Sequence, residues 1–372
     1  MRLKRIFPLI CAAALFVLGL ASTASAAGAA DPGACAQCHT AESGGWTHTA
    51  HAKANVTCLS CHKAGDPHQK PAGAANELYD PAVCAPCHDT EYQEWRRSGH
   101  NQPVPYTKDE ILPELITDCV RCHNVAGYLE VTRSGKPFEK MKGQVADATS
   151  PGVTCVACHD VHSGSSSDML RAADRATVCD NCHGGKWQHL VLNGTGGQRY
   201  ADRNYDKSSV SPHNTGDRCV MCHMAKTDGV AAGGHTLRMR DDQGALNLSG
   251  CRPCHQNLRD FNVGGKQTET KAMLESLAAE LKERNAGELP RNQPGKCNEC
   301  HRGGTEPFKQ DPDGVLEQAY QNYRLFLFDR SLGVHNPAYT RQMLQDSITH
   351  VLQGYSGAPL PQGAEGCCGH QG

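Results

Sequence analysis

The chain has 372 residues, with 37 Lys and Arg against 39 Asp and Glu, a formal charge of −2 and a mean hydropathy of −0.53. A balance this close to neutral, with its charges scattered, excludes a basic nucleic-acid-binding face and suits docking against basic partner surfaces. Aromatic residues are only 5%, and 38 Gly with 20 Pro against 38% hydrophobic residues predict too weak an apolar core for an ordinary domain of this length.

At the start of the chain, Arg2, Lys4 and Arg5 precede an apolar run over 6–20 and the small-residue site Ala24, Ser25, Ala26. This is the pattern of a secretory signal peptide over 1–26, cleaved after Ala26 and taking Cys11 with it. The run is too short to span a bilayer, and no later segment is long and apolar enough to do so, so the mature chain is expected to be periplasmic or secreted, with no transmembrane segment. Loss of the three basic residues takes the net charge from −2 to −5.

The frame C-x-x-C-H then occurs nine times, at Cys35/Cys38/His39, Cys58/Cys61/His62, Cys84/Cys87/His88, Cys119/Cys122/His123, Cys155/Cys158/His159, Cys179/Cys182/His183, Cys219/Cys222/His223, Cys251/Cys254/His255 and Cys297/Cys300/His301. Two thiols at this spacing add across the vinyl groups of a porphyrin, and the adjacent His reaches the iron, which is the signature of covalently attached haem c. Structural zinc also uses C-x-x-C pairs, but it needs no His in the next position. With 20 His in 372 residues a given pair is followed by His about one time in nineteen, yet here it happens every time. Nine haems c are therefore expected. At about 38 residues each there is no room for separate domains. The expected fold is mainly α with extensive loops, little or no β-sheet and a haem-packed core, the thioether bonds restricting the unfolded chain much as disulfides do.

Residues 35–51 repeat at 84–100 without a gap, placing Trp46 on Trp95 and His51 on His100, each followed by a further motif. A looser copy runs from Cys179 through Trp187 and His213 to Cys219. The repeated unit is a haem pair: motif, Trp, free His, motif. Its Trp is expected to pack on a porphyrin or to fix the turn that carries the His. Eleven His lie outside the motifs. His48 is set aside because its repeat counterpart is Arg97, and His370 because it lies in the tail. The remaining nine, His51, His68, His100, His162, His189, His213, His235, His335 and His350, are the expected second axial ligands. His68 and His162 follow their motifs so closely that each is expected to serve a neighbouring iron and cross-link the array.

Residues 124–154 and 163–178 read as loops, marking at most a hinge on one continuous body. The mature chain divides into 27–154 with haems one to four, 155–265 with haems five to eight, and a helical region over 266–372 with haem nine. There, Leu274, Leu277, Ala278 and Leu281 predict an amphipathic helix near 270–285. A second is predicted from Val315 to Leu332 before Gly333, and a third from Pro337, capped by Asn336, to Gly354. His335 falls in the turn between the last two, and His350 shares the face of Met343, so both are expected against a haem. Cys367 and Cys368 read as a disulfide pair, with metal capture alongside His370 as the alternative.

The units at 35–62 and 84–123 resemble the haem pairs of the superfamily that holds the tetrahaem cytochrome and hydroxylamine oxidoreductase of ammonia oxidisers. The segment Asp329-Arg-Ser-Leu-Gly-Val-His335-Asn336-Pro337 is similar to the C-terminal region of cytochrome c nitrite reductases and their octahaem relatives, where the corresponding His ligates a haem. The array also resembles periplasmic conduits of electron export. The chain departs from the enzymes in having no C-x-x-C-K motif and no Arg, Tyr and His set around one motif. Three functions follow. The first is an electron carrier with nine haems of two axial His each, serving anaerobic or extracellular respiration alongside other redox proteins such as a quinol-linked donor or a terminal reductase. The second is an oxidoreductase acting on nitrite, hydroxylamine, tetrathionate or a similar small compound at one open iron. The third is a subunit that self-assembles into a filament or joins an outer-membrane conduit.

Overall fold

The computed structural model describes residues 32–62, 79–102, 122–134, 152–162, 167–291 and 305–354. Short helices come first: α1 (Pro32–Ala36), α2 (Thr40–Trp46), α3 (Ala50–Lys53), α4 (Cys58–Cys61), α5 (Asp89–Arg96), α6 (Val125–Ser134), α7 (Cys155–Cys158), α8 (Arg175–His183), α9 (Trp187–Leu192), α10 (Asp206–Ser209) and α11 (Arg218–His223). Three long ones close the described chain: α12 (Lys266–Glu283), α13 (Val315–Asp329) and α14 (Pro337–Gln353). Among the described residues there is no strand, only the isolated bridges His159 to Leu170 and Arg240 to Leu246. No described helix is long and apolar enough to cross a membrane.

The three long helices form where the spacing places them. On α12 the apolar stripe Leu274, Leu277 and Leu281 is buried, while Lys271 and Glu275 pair in solvent on the other face. Helix α13 stops three residues before the predicted end. Arg330 takes the left-handed conformation as its cap, and Leu332 and Gly333 follow with positive φ, folding the chain into a tight turn. Helix α14 starts as predicted, with Pro337 in its first turn and the Asn336 side chain accepting from Tyr339 N–H at 3.2 Å. Buried Asn322 fastens the bundle: its amide donates to Ser347 Oγ and to Gln198 O, both at 3.0 Å, and its carbonyl accepts from Gln198 N–H at 2.6 Å.

Two expected loops contain helices. Within 124–154, α6 forms because Val125, Tyr128 and Leu129 share a face and pack on Ala157 of α7. Within 163–178, Asp174 caps α8 by accepting from Thr177 N–H at 2.9 Å. The Gly, Ser and Thr residues around both hide patterns this short.

Candidate haem-binding array

The repeat noticed in the sequence is built on a hydroxyl. After α2, the Thr49 side chain donates to Trp46 O at 2.7 Å and accepts from Ala52 N–H at 3.2 Å, turning the chain so that His51 enters α3. In the second copy Ser98 donates to Trp95 O at 2.7 Å and accepts from His100 N–H at 3.1 Å. Ser211 likewise accepts from His213 N–H at 3.1 Å and donates to His335 O at 2.6 Å. In all three, a buried Ser or Thr lies two residues before the free His. This hydroxyl is a local signal that the sequence carries at all three positions.

The tryptophans differ. Trp95 anchors its copy by donating from Nε1 to Val153 O at 2.8 Å. Beside it Gly152 is required, since a Cβ there would sit 2.4 Å from His100 O. Trp187 is buried in the C-terminal core and stacks on Phe328 with ring centroids 5.6 Å apart.

Six free His face six motif His across a common gap. The centroid separations are 6.0 Å for His51 and His88, 6.1 Å for His162 and His62, 6.2 Å for His100 and His183, 6.3 Å for both His235 with His159 and His213 with His255, and 6.4 Å for His335 and His223. These rings are too far apart to touch. Two imidazoles on opposite sides of one metal, with bonds of about 2 Å and ring nitrogens about 1.1 Å from the ring centre, have centroids about 6.2 Å apart. The interplanar angle meanwhile ranges from 7° to 67°. A fixed separation with free rotation is what axial ligation imposes, so these residues fit a bound haem iron.

Tautomer and charge also fit. His159 Nδ1 donates to Asp168 O at 2.8 Å, His213 Nδ1 to Val334 O at 2.6 Å and His223 Nδ1 to Leu237 O at 3.0 Å. A carbonyl only accepts, so each Nδ1 carries the hydrogen and leaves the Nε2 lone pair toward the gap. Burial, and after it the charge of a neighbouring imidazole, lowers His51, His162 and His183 below the ordinary histidine range and takes His100 to about 4. Neutral imidazole is the form that binds metal. His335 is different. Burial works against its charge, but the Asp329 carboxylate, 2.6 Å from Nδ1, outweighs that and raises the ring above the ordinary range.

Two of the expected second ligands fall elsewhere. His350 is buried inside the helical bundle, stacked on Tyr200 at 3.8 Å. Its Nδ1 faces Asp346 O at 2.7 Å and its Nε2 faces Asp202 Oδ1 at 3.1 Å, so both ring nitrogens are directed at oxygen acceptors. His189 accepts from Gly185 N–H at 3.2 Å, and its Nε2 lies 3.5 Å from Asp180 Oδ1. His68 lies outside the described residues, as do Cys119, Cys297, Cys300, His301, the signal segment and the Cys367, Cys368 and His370 tail. His48, set aside on the repeat, is exposed. Among the described residues His123 has no imidazole in ring contact.

The polypeptide alone does not bury all of the attachment residues. Cys38, Cys61, Cys87 and Cys254 are exposed, and so are the motif histidines His39, His62 and His88. Cys38, Cys87 and Cys254 lie on turns, and neither they nor His39 belong to either apolar cluster of the described residues. Protein side chains half-bury the thiols of motifs five to seven and leave the second thiols of motifs one, two, three and eight open, an arrangement compatible with attachment. The physical reason is that a thioether bond requires a thiol to reach a vinyl carbon, not to be covered by protein, and axial ligation likewise requires only an aimed lone pair.

The motifs adjoin one another through their cysteines. None of the fifteen described motif cysteines forms a disulfide. Cys35 touches Cys58, Cys84 touches Cys155, Cys179 touches Cys219 and Cys222 touches Cys251, each pair within hydrogen-bonding reach. Cys122 Sγ lies 3.9 Å from Cys182 O. Neighbouring motifs in space are thus one and two, three and five, four and six, six and seven, and seven and eight.

The helical fold of the described residues, among which there is no strand, and the repeated attachment motif are similar to those of multihaem c-type cytochromes, electron-transfer proteins that carry haem c. Residues 148–188 match the family described as doubled CXXCH motif, and residues 83–160 match cytochrome c554 and c-prime. The fold is similar to that of an undecahaem cytochrome from the S-layer of Carboxydothermus ferrireducens, at 18% identity and a TM-score of 0.51 over 82% of this chain and 50% of that one. A solved outer cell wall cytochrome, OcwA, aligns at 19% identity and a TM-score of 0.46 over 70% of this chain and 50% of its own. The chain spans half the length of each. No curated protein matches the sequence.

Proposed function

We propose that the chain is an exported electron carrier that holds nine haems c in one connected relay. The eighteen motif cysteines attach them, and the nine motif His bind from one side. His51, His162, His100, His235, His213 and His335 bind from the other side of haems three, two, six, five, eight and seven. The observation that carries this reading is the uniform separation of 6.0–6.4 Å across six pairs that are remote in sequence. Two imidazole ligands leave no position for a substrate and, without the Met ligand that raises potential, favour a low-potential centre suited to anaerobic or extracellular respiration. His350 is left out of the ligand set, because its nitrogens are turned to Asp346 and Asp202. The nearness of motif four to six and of three to five supports treating 27–154 and 155–265 as one body rather than two separate haem domains. The signal-peptide pattern over 1–26 supports an exported location, where a quinol-linked donor, a terminal reductase or an outer-membrane conduit would meet the chain.

The test is the mass of the exported protein together with electron paramagnetic resonance. Nine added haems and low-spin signals from at least six are expected. A form several haems lighter, or one dominated by high-spin iron, would end this reading.

A second reading, chemistry on a small molecule at one open iron, is favoured at one place. His123 is half-buried with Lys186 as the neighbouring charge acting on it, and no imidazole of the described residues is in ring contact with it. Addition of cyanide or carbon monoxide to the reduced and oxidised protein decides. A spectral response worth one haem supports the open site, and no response removes it.

A further inference from the structure

The turn between α13 and α14 supplies a hydrogen-bond acceptor to the second ligand of two adjoining haem positions. Val334 O takes the His213 Nδ1 hydrogen at 2.6 Å, and Asp329 Oδ1 takes that of His335, also at 2.6 Å. The distances are equal and the acceptors differ by a full charge. Among the described residues the other Nδ1 contacts of the paired His are to carbonyls, at Asp168 and Leu237, or to the Glu94 carboxylate 3.6 Å from His235, beyond hydrogen-bond range. The Asp329 side chain is 1% exposed. Its further partners are Ser331 N–H at 3.3 Å and the Ser331 hydroxyl, and no Lys or Arg pairs with it among the described residues.

We propose that Asp329, through His335, sets the potential of the haem held between His223 and His335 below that of its neighbour held between His255 and His213. This rests on the two-imidazole reading of the array. A buried carboxylate drawing on the Nδ1 hydrogen makes His335 a stronger donor and adds negative charge beside the iron, and both favour the oxidised over the reduced state. The neutral Val334 carbonyl does neither to the same degree for His213. Because Cys222 touches Cys251 and Cys219 touches Cys179, the lowered position lies between the sixth and eighth and forms an uphill step for an electron crossing from one to the other. Asp329 is a positioning residue that never contacts the iron.

The test is a redox titration of the exported, fully loaded protein, followed by absorption and electron paramagnetic resonance. His335→Met marks the couple in question, since a thioether ligand raises its potential and alters one low-spin signal. Asp329→Asn should move that same couple upward by a tenfold or greater change in its oxidised-to-reduced ratio, about 59 mV for one electron. Ser331→Ala, which removes the hydroxyl bond to the carboxylate and leaves only the Ser331 N–H beside His335 as its partner, should move it downward. The proposal is overturned if Asp329→Asn raises no couple, shifts all couples alike, or shifts a couple other than the marked one. If His335→Met alters no low-spin signal, the two-imidazole reading of this position falls as well.

Discussion

Between residues 32 and 102 the described chain buries only Thr49, Pro81 and Ser98, whereas α12 to α14 bury Leu274, Leu277, Leu281, Leu325, Phe326, Met343 and Leu344 against one another. The first region has five helices of four to eight residues, and the second has helices of fifteen to eighteen. Helices as short as the first set do not hold in water unaided. The difference shows where the folding energy comes from. The C-terminal helices carry an apolar core of their own. The N-terminal haem pairs have caps, turns and ligands in order but no apolar interior, and they depend on porphyrin faces to provide one.

Export of the chain without haem attachment should break the comparison most completely. Hydrogen exchange should find residues 32–102 exchanging as an unfolded chain and α12 to α14 still protected, and equal protection in both would refute the contrast. Next, Leu277→Ala, at a fully buried site of α12, should cost about 2–5 kcal/mol in the thermal unfolding of the helical region while leaving the haem spectra unchanged. Acidification should act on the N-terminal region first. His100 takes a proton only near pH 4 when folded but near 6.5 when unfolded, so its contribution is complete above 6.5 and is lost as the pH falls toward 4. Ligation also demands the neutral ring, so the low-spin signal should be lost in the same direction, at lower pH than in the haem-free chain. Smallest is Ser98→Ala, expected to cost about 0.5–2 kcal/mol through the lost cap. Its effect on the His100 signal, absent from a matched Thr349→Ala change on exposed α14 surface, would show that the hydroxyl positions the ligand.

The attachment sites were legible because covalent chemistry fixes residue type and spacing locally, and α12 to α14 were legible because an apolar stripe repeats over four turns or more. The pairings were not. His62 faces His162 and His223 faces His335, each about a hundred residues away, and nothing near either residue encodes that meeting. The histidine count supplied enough candidates without distinguishing His335 from His350. One is turned by Asp329 toward a motif imidazole, and the other is drawn by Tyr200 and Asp202 into the helical core. The Ser or Thr two residues ahead of His51, His100 and His213 is the local sign that could have ranked them.

The pairs also run in two directions along the polypeptide. His88, His183 and His255 face His51, His100 and His213, which precede them, while His62, His159 and His223 face His162, His235 and His335, which follow. If the chain is exported from its N-terminus and ligated as proposed, positions three, six and eight would find their second imidazole already outside. Positions two, five and seven stay half-made until roughly 75 to 110 further residues have emerged. On the proposed reading, maturation would therefore proceed out of sequence order, and a chain stalled in secretion would carry finished and unfinished centres in alternation.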